Sequence, residues 1–461
     1  MRGTHAQTDA NRLRFAESSS LTDLGQTTWP NRIVCFVGLD QDAEELQLSH
    51  SSLISNDFLR CNTCESRRYI GDFLKLIKSH LLRPYQEEAV KRALAAKRST
   101  IKAATGTGKT IIAIEWLKSI DMETLIIVPT QALIFQSWAP KLQEAQLLDV
   151  GQYYAYAKEE GKTMITTYSS AVSHPELLDM AEAVILDEVH HLGAQTALLR
   201  LLPRLKRKEY VLCLSSIPER RDEAHEFFLK EFPICFDLSL GEALRRGIVA
   251  PLDVIAIPAE MTKREKEIYD NQTARIQRAF KICGNNIAGW MRCFDSISNQ
   301  YVGRLGIQAM SKRKKLLTQI EDKKRKLMQI IDSHPNQRIM VFAESVEAIE
   351  DIRQYLLDNG TSCETFHSRT EPWRRLEILN EWGHKFDILL SCRALEEGLD
   401  VKEVAIGILL TSGTNKRQYI QRIGRIIRPK EGKMARFYII FCPSTIEDSY
   451  VKTVHNILRS D

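Results

Sequence analysis

Eight consecutive residues carry the sharpest chemical signal in this 461-residue chain: Ala103-Ala104-Thr105-Gly106-Thr107-Gly108-Lys109-Thr110. Glycines at these spacings let the backbone curl until successive N–H groups point into one concavity, which a triphosphate fills. The run follows the strand-like Ser99–Lys102 and precedes the helical Ile111–Ile120, so a helix N-terminus adds partial positive charge. In that cradle Ala104, Thr105, Gly106, Thr107 and Gly108 supply backbone. Lys109 reaches the β- and γ-phosphates, and Thr110 offers its hydroxyl to Mg²⁺. Ala103 stands where the usual pattern has its first glycine.

The complement lies 78 residues beyond Lys109, with two predicted strands between. The apolar run Val184-Ile185-Leu186 ends in Asp187-Glu188. A strand ending in two carboxylates sets Asp187 at the carboxyl edge of a sheet, where it can hold Mg²⁺ beside the phosphates. Glu188 can then orient and deprotonate the attacking water. The two motifs together predict ATP hydrolysis with ATP and Mg²⁺ as cofactors. His190 and His191 follow at once, but without HExxH spacing they do not read as zinc ligands. The only CxxC, Cys61-Asn62-Thr63-Cys64, has no second pair downstream and reads as two incidental cysteines.

Positioning these groups requires a parallel sheet covered on both faces, and the chain has the pattern twice. Short apolar runs alternate with helical stretches at Thr124–Pro129, Lys162–Thr167, Ala183–Asp187 and Tyr210–Leu214. They resume at Arg338–Ala343, Ser362–Phe366, Phe386–Cys392, Val404–Leu410 and Phe437–Phe441. The predicted fold is α/β, with two parallel-sheet domains in tandem, a helical insert and a small N-terminal segment. The expected boundaries are 1–80 for the N-terminal segment, 81–258 for the first domain, 259–335 for the insert and 336–461 for the second domain. Within the insert Leu316, Ile320, Leu327 and Ile331 fall on one face of a helix, which sets Lys312–Lys315 and Lys323–Lys326 largely on the others.

The net charge of +5 is unevenly spread. Met261–Ile330 holds 16 Lys+Arg against 6 Asp+Glu, so the remainder is net negative. A local basic block in a near-neutral chain points to a polyanion partner. A composition with 44% hydrophobic and 27% charged residues is ordinary for a globular protein, and no apolar run approaches the length of a membrane span. Ten scattered cysteines fit a reducing, intracellular setting better than a disulfide framework.

The segments LRPYQEEAV (82–90), AATGTGKT (103–110), ILDEVHHL (185–192), EEGLDV (396–401) and QYIQRIGRIIRP (418–429) together resemble a superfamily-two helicase. The DEVH box, the phrase SLGEALRRGIVAPLDV (239–254) and the basic insert are most similar to XPB-like DNA repair helicases. The resemblance implies that both parallel-sheet domains are RecA-like and that Gln86 reads the adenine edge. It implies that Gln421, Arg425 and Arg428 face the γ-phosphate from the second domain, and that Glu397, Gly398 and Asp400 couple the cleft to nucleic acid. It also implies DNA contacts from Pro129, Thr130, Thr167, His367 and Arg369, from Arg220 and Arg221 in a duplex-wedge loop, and from Lys312, Arg313, Lys314 and Lys315 in a thumb-like insert. The family's Ser/Thr-Ala-Thr motif stands here as Ser215-Ser216-Ile217, and its Arg-Glu-Asp loop as Arg220-Arg221-Asp222.

The function so implied is an ATP-dependent DNA helicase or translocase, moving 3′ to 5′ and serving DNA repair, with DNA and a loading or nuclease protein as partners. The alternatives are a duplex translocase that does not unwind, serving restriction, defence or remodelling, and an RNA helicase.

Overall fold

The computed structural model describes residues 82–155, 157–220, 222–284, 290, 297–367, 369–392, 404–410, 416–430 and 432–459, with the backbone of 33–37 and 44–48. Those last two strands, β1 (Ile33–Val37) and β2 (Glu44–Leu48), pair antiparallel. From Leu82 onward the chain forms a separate compact unit containing two sheets.

The first sheet comprises β3 (Arg98–Ala103), β4 (Thr124–Val128), β5 (Val150–Tyr154), β6 (Ala157–Glu159), β7 (Thr163–Thr167), β8 (Ala183–Leu186), β9 (Tyr210–Ser215) and β10 (Ile234–Leu238). Their order is β10-β3-β9-β8-β4-β7-β5-β6, parallel except for β6. Thr124-Leu125-Ile126-Ile127-Val128 and Ala183-Val184-Ile185-Leu186 are buried along their whole length, as helices on both faces require. The strands that carry chemistry end together: Lys102 pairs with Ser215, and the Asp187 N–H donates to the Ile127 carbonyl. Ligands in open α/β sheets bind outside this carboxyl edge.

The second sheet is wholly parallel. It comprises β11 (Leu252–Pro258), β12 (Ile339–Ala343), β13 (Cys363–Phe366), β14 (Ile388–Cys392), β15 (Ile406–Leu409) and β16 (Ala435–Phe441), ordered β11-β16-β15-β12-β14-β13. Here the boundary expected at 258 is corrected. Leu252–Pro258 pairs residue for residue with Ala435–Phe441, so the chain crosses to the second lobe before Leu252. The crossover follows the Leu240–Arg245 helix and turns at Gly247, whose φ of +64° suits glycine.

The insert is less independent than the boundaries 259–335 imply. Helix Lys263–Cys283 opens with a capping box, Thr262 Oγ1 accepting from the Glu265 N–H while the Glu265 carboxylate accepts from the Thr262 N–H. It packs along helix Ile297–Gln319. The single helix face expected from Leu316 to Ile331 is broken at Ile320, where ψ of 124° ends one helix and the Glu321–Asp332 helix begins. Ile320, Leu327 and Ile331 nonetheless enter one core with Ile339, Val341 and Ile408 of the second sheet.

Lys323 overturns its expected place on a solvated face. It is fully buried, 2.7 Å from the Glu447 carboxylate, and also donates to the Leu410 carbonyl at 2.8 Å. A buried ammonium is tolerable only with such partners. No helix among the described residues is long and apolar enough to cross a membrane.

Candidate active site

The Ala104–Gly108 loop leaves β3 and delivers Lys109 at the first turn of helix Lys109–Ile120. Gly106 (φ +90°) and Gly108 (φ +84°) take the left-handed backbone that the curl needs, and a methyl group on Gly108 would sit 2.6 Å from Gln86 Nε2. The loop is braced from behind. Thr107 Oγ1 donates to the Ala104 carbonyl at 2.7 Å, and the Thr107 carbonyl accepts from Tyr85 Oη at 2.7 Å and Gln86 Nε2 at 3.2 Å. Gln86 Oε1 accepts from the Arg83 N–H at 2.9 Å, capping its own helix. In this structure the Gln86 amide braces the loop through Nε2 and its own helix through Oε1. Lys109 Nζ donates to the Ala103 carbonyl at 3.1 Å.

Asp187 and Glu188 leave β8 at the same edge. Asp187 is buried, its Oδ2 accepting from Trp138 Nε1 at 2.9 Å and its Oδ1 from the Glu188 N–H at 3.0 Å. Burial foremost, then the neighbouring Glu188 charge, raises the Asp187 pKa above the ordinary carboxylate range, while Trp138 and Lys109 oppose the rise. A buried carboxylate in that condition suits a cation. With the Thr110 hydroxyl it would offer Mg²⁺ a sparse, all-oxygen donor set that leaves room for waters. Glu188 sits at φ +48°, a left-handed backbone rare for glutamate and of the kind that accompanies functional sites. Ser215 Oγ donates to its Oε2 at 3.4 Å, and His190 Nδ1 lies 3.4 Å from the same oxygen.

The second lobe contributes helix Lys416–Ile426, which carries Gln421 and Arg425, both buried, with Arg428 just beyond its end. Gly424 faces the phosphate loop, and a methyl group there would collide with the Thr105 side chain. Gly424→Ala is therefore expected to pry the helix from the loop, lowering ATP turnover by about tenfold or more with little change in the melting temperature. Misplacement of about 1 Å costs up to 100-fold. Turnover equal to wild type would show that the contact is dispensable.

Several site residues were not legible in the sequence. Trp138 closes a π-helical turn, Ile134–Trp138, a bulge that aims its indole at Asp187. Lys141 follows on helix Ala139–Glu144, beside Ser137 Oγ at 3.3 Å. Burial, then Arg428, holds its ammonium below the usual lysine range, with Asp187 pulling the other way and Lys109 adding to the fall. Lys141 thus feels the charges of Arg428, Asp187 and Lys109 together, a cationic surround suited to phosphates. Only the tryptophan shortly after the Pro129-Thr130-Gln131 turn marks this helix in the sequence.

Several expected nucleic-acid contacts are engaged within the chain. Thr167 Oγ1 caps the Tyr168–Ser173 helix, accepting from the Ser170 N–H at 3.2 Å. Arg220 folds back, donating to the His190 carbonyl at 2.7 Å and pairing with Asp222 at 2.6 Å. That guanidinium holds the Asp222 carboxyl down at about 2. Arg313 lies over the Tyr269 ring and donates to Thr273 Oγ1, and Lys314 pairs with Glu344, so neither is presented as a plain surface cation. Lys312 and Lys315 are both exposed. His367 lies 3.1 Å from the Glu350 carboxylate, and exposed Arg369 pairs with Glu347. Pro129 and Thr130 occupy the turn after β4. Arg221, Glu397, Gly398, Asp400 and the Cys61–Cys64 pair lie outside the described residues. Among the described residues no group of three or more His, Cys, Asp or Glu is placed to hold a metal.

Two RecA-like lobes, one bearing the phosphate loop and Asp-Glu and the other pressing an arginine helix on that loop, define a superfamily-two helicase architecture. The domain family described as type III restriction enzyme, res subunit, matches residues 79–220, and the helicase conserved C-terminal domain matches 322–430. Within the superfamily the chain is XPB-like. It is 28% identical over 365 residues to the DNA 3′-5′ translocase XPB2 of Sulfurisphaera tokodaii, covering 77% of this chain and 81% of that one. It is 21% identical over 384 residues to the DNA 3′-5′ helicase XPB of Kineococcus radiotolerans, covering 80% of this chain but only 61% of that protein. The Pyrococcus furiosus Hef helicase domain shares the fold, with a TM-score of 0.52 at 18% identity, over 80% of this chain and 98% of that one.

Proposed function

We propose that this chain is an ATP-driven DNA motor that moves 3′ to 5′ by closing its lobes on ATP and reopening them after hydrolysis, in the service of DNA repair inside the cell. One observation carries the reading: Gly424 seats the arginine helix of the second lobe directly on Thr105 of the phosphate loop. With the lobes together, Arg425 and Arg428 would therefore face a γ-phosphate held in that loop. Lys109 binds the β- and γ-phosphates, Thr110 and Asp187 hold the Mg²⁺ that bound ATP brings, and Glu188 takes the proton of the attacking water, its carboxylate steadied by Ser215. A bound Mg²⁺ neutralises phosphate charge during the transfer. A loading or nuclease partner belongs to the same reading.

ATPase measured with single-stranded DNA, duplex DNA and RNA tests it. Stimulation by DNA supports the motor, and stimulation by RNA alone overturns its substrate. Duplex translocation without unwinding is a second reading, favoured by Arg220, which is tied to the Asp187–His191 turn and Asp222 rather than held out as a wedge. Strand-displacement and triplex-displacement assays run side by side separate the two.

The insert supplies phosphate contacts through its solvent-facing cations. Removing one cation–phosphate pair flattens the dependence of log affinity on log salt by about 0.7–0.9. Replacing Lys312 and Lys315 by glutamine should therefore reduce the slope by roughly one to two units, equally for all DNA sequences and with DNA-free ATPase unchanged. An unchanged slope would leave these lysines as solvated surface.

A further inference from the structure

We propose that Arg417 is a positioning residue that carries lobe closure to Glu188, through the loop that follows Ser215. The proposal rests on the ATP-motor reading above. The path is continuous in the structure. Arg417 stands in the first turn of helix Lys416–Ile426 in the second lobe, and its guanidinium reaches into the first lobe. Nε and Nη2 donate to the Ile217 carbonyl at 3.2 and 3.1 Å, and Nη2 also donates to the Glu219 carbonyl at 2.8 Å. The Ile217 N–H donates to Ser215 Oγ at 3.2 Å, and Ser215 Oγ donates to Glu188 Oε2 at 3.4 Å.

Each link has a physical reason. A guanidinium is a rigid fork of donors, able to hold two carbonyls at once where an ammonium on a flexible stem cannot. Accepting the Ile217 N–H orients the Ser215 hydroxyl so that its one proton is left for Glu188. From the first-lobe side, Lys102 Nζ fixes the Glu219 carboxylate at 2.8 Å, so the Ile217–Glu219 turn is held from both lobes. Ile217 stands where the family motif has a threonine, and it is the Ile217 backbone carbonyl that meets the second lobe. When the lobes part, Arg417 leaves the two carbonyls, the turn loses its outer support, and the Ser215 hydroxyl is no longer fixed toward Glu188. The base is thereby correctly aimed only when the arginines of the same helix are in place.

The test compares wild type with Arg417→Ala, Arg417→Lys, Ser215→Ala and the double variant Arg417→Ala/Ser215→Ala, each checked for an unchanged melting temperature. With the lobes held together by a non-hydrolysable ATP analogue, hydrogen exchange at the Ile217 amide should accelerate at least about tenfold in Arg417→Ala, because its acceptor loses support. DNA-stimulated kcat should fall by about tenfold to 100-fold, the scale of a misplaced group, with KM for ATP within about twofold. Arg417→Lys should resemble the alanine variant in both readouts. The double variant should be no slower than the slower single one, because both act along one path. Unchanged exchange at Ile217, a change in KM alone, rescue by lysine or multiplying defects in the double variant would each overturn the proposal. A wild-type chain without ATPase would sink the motor reading and leave the exchange measurement to judge the Arg417 link by itself.

Discussion

Glu188→Gln should bind ATP and DNA as the wild type does and turn ATP over at least about 100-fold more slowly, the scale of lost general-base catalysis. The amide is isosteric, so Ser215 can still donate to its oxygen, and the left-handed backbone at residue 188 is undisturbed. Asp187 also keeps its bonds from Trp138 and from the residue-188 N–H, so cation binding survives. The amide cannot take a proton from water. Steady-state phosphate release measured beside fluorescent-nucleotide binding separates these effects. Turnover within tenfold of wild type would remove Glu188 from the role of base.

Arg425→Ala should lose more. Arginines that stabilise the transferring phosphoryl contribute about 10³–10⁵ in rate, so DNA-stimulated turnover should drop by roughly 10³-fold at near-normal ATP affinity. The helix itself should persist, held by Tyr419, Ile423 and Ile426 in the core and by Arg422 over the Phe342 ring at 5.5 Å. A fragment of residues 82–250 should show the same defect, because it retains the phosphate loop and lacks the arginine helix. Full stimulated turnover by that fragment would refute an ATPase shared between lobes.

The phosphate loop, the Asp-Glu turn and most strands of both sheets were readable because each is local: glycines for positive φ, apolar runs for buried strands. What escaped was set by distance along the chain. Nothing in Leu252–Pro258 says which lobe its edge will join, and the choice depends on β16, far downstream. Lys323 sits in a run of cations that reads as solvated, and only Glu447 shows why it is buried. The Trp138 and Lys141 contacts depend on a π-helical turn that periodicity does not announce. By sequence alone Arg417 is one of several basic residues in its helix, and only its carbonyl partners in the other lobe distinguish it. Local pattern placed the phosphate cradle and the base, while long-range pairing placed the groups that steer them.

The crossing of β11 to the second sheet also sets an order of events during synthesis. By the time Leu252–Pro258 emerges from the ribosome, every strand of the first sheet has been made, and that lobe can fold. The partner of β11 begins at Ala435, about 180 residues later, a wait of roughly 9–36 s at ordinary translation rates. Throughout that interval a seven-residue strand trails from a finished lobe with its ladder groups unpaired, open to pairing with another chain. Asp253 within the strand, and prolines at 251 and 258 at its borders, are the residue types that discourage such pairing. A nascent chain that stalls between 258 and 435 therefore carries a competent nucleotide-binding lobe with an adhesive tail. The protein's exposure to aggregation is concentrated in the time its second lobe takes to be translated.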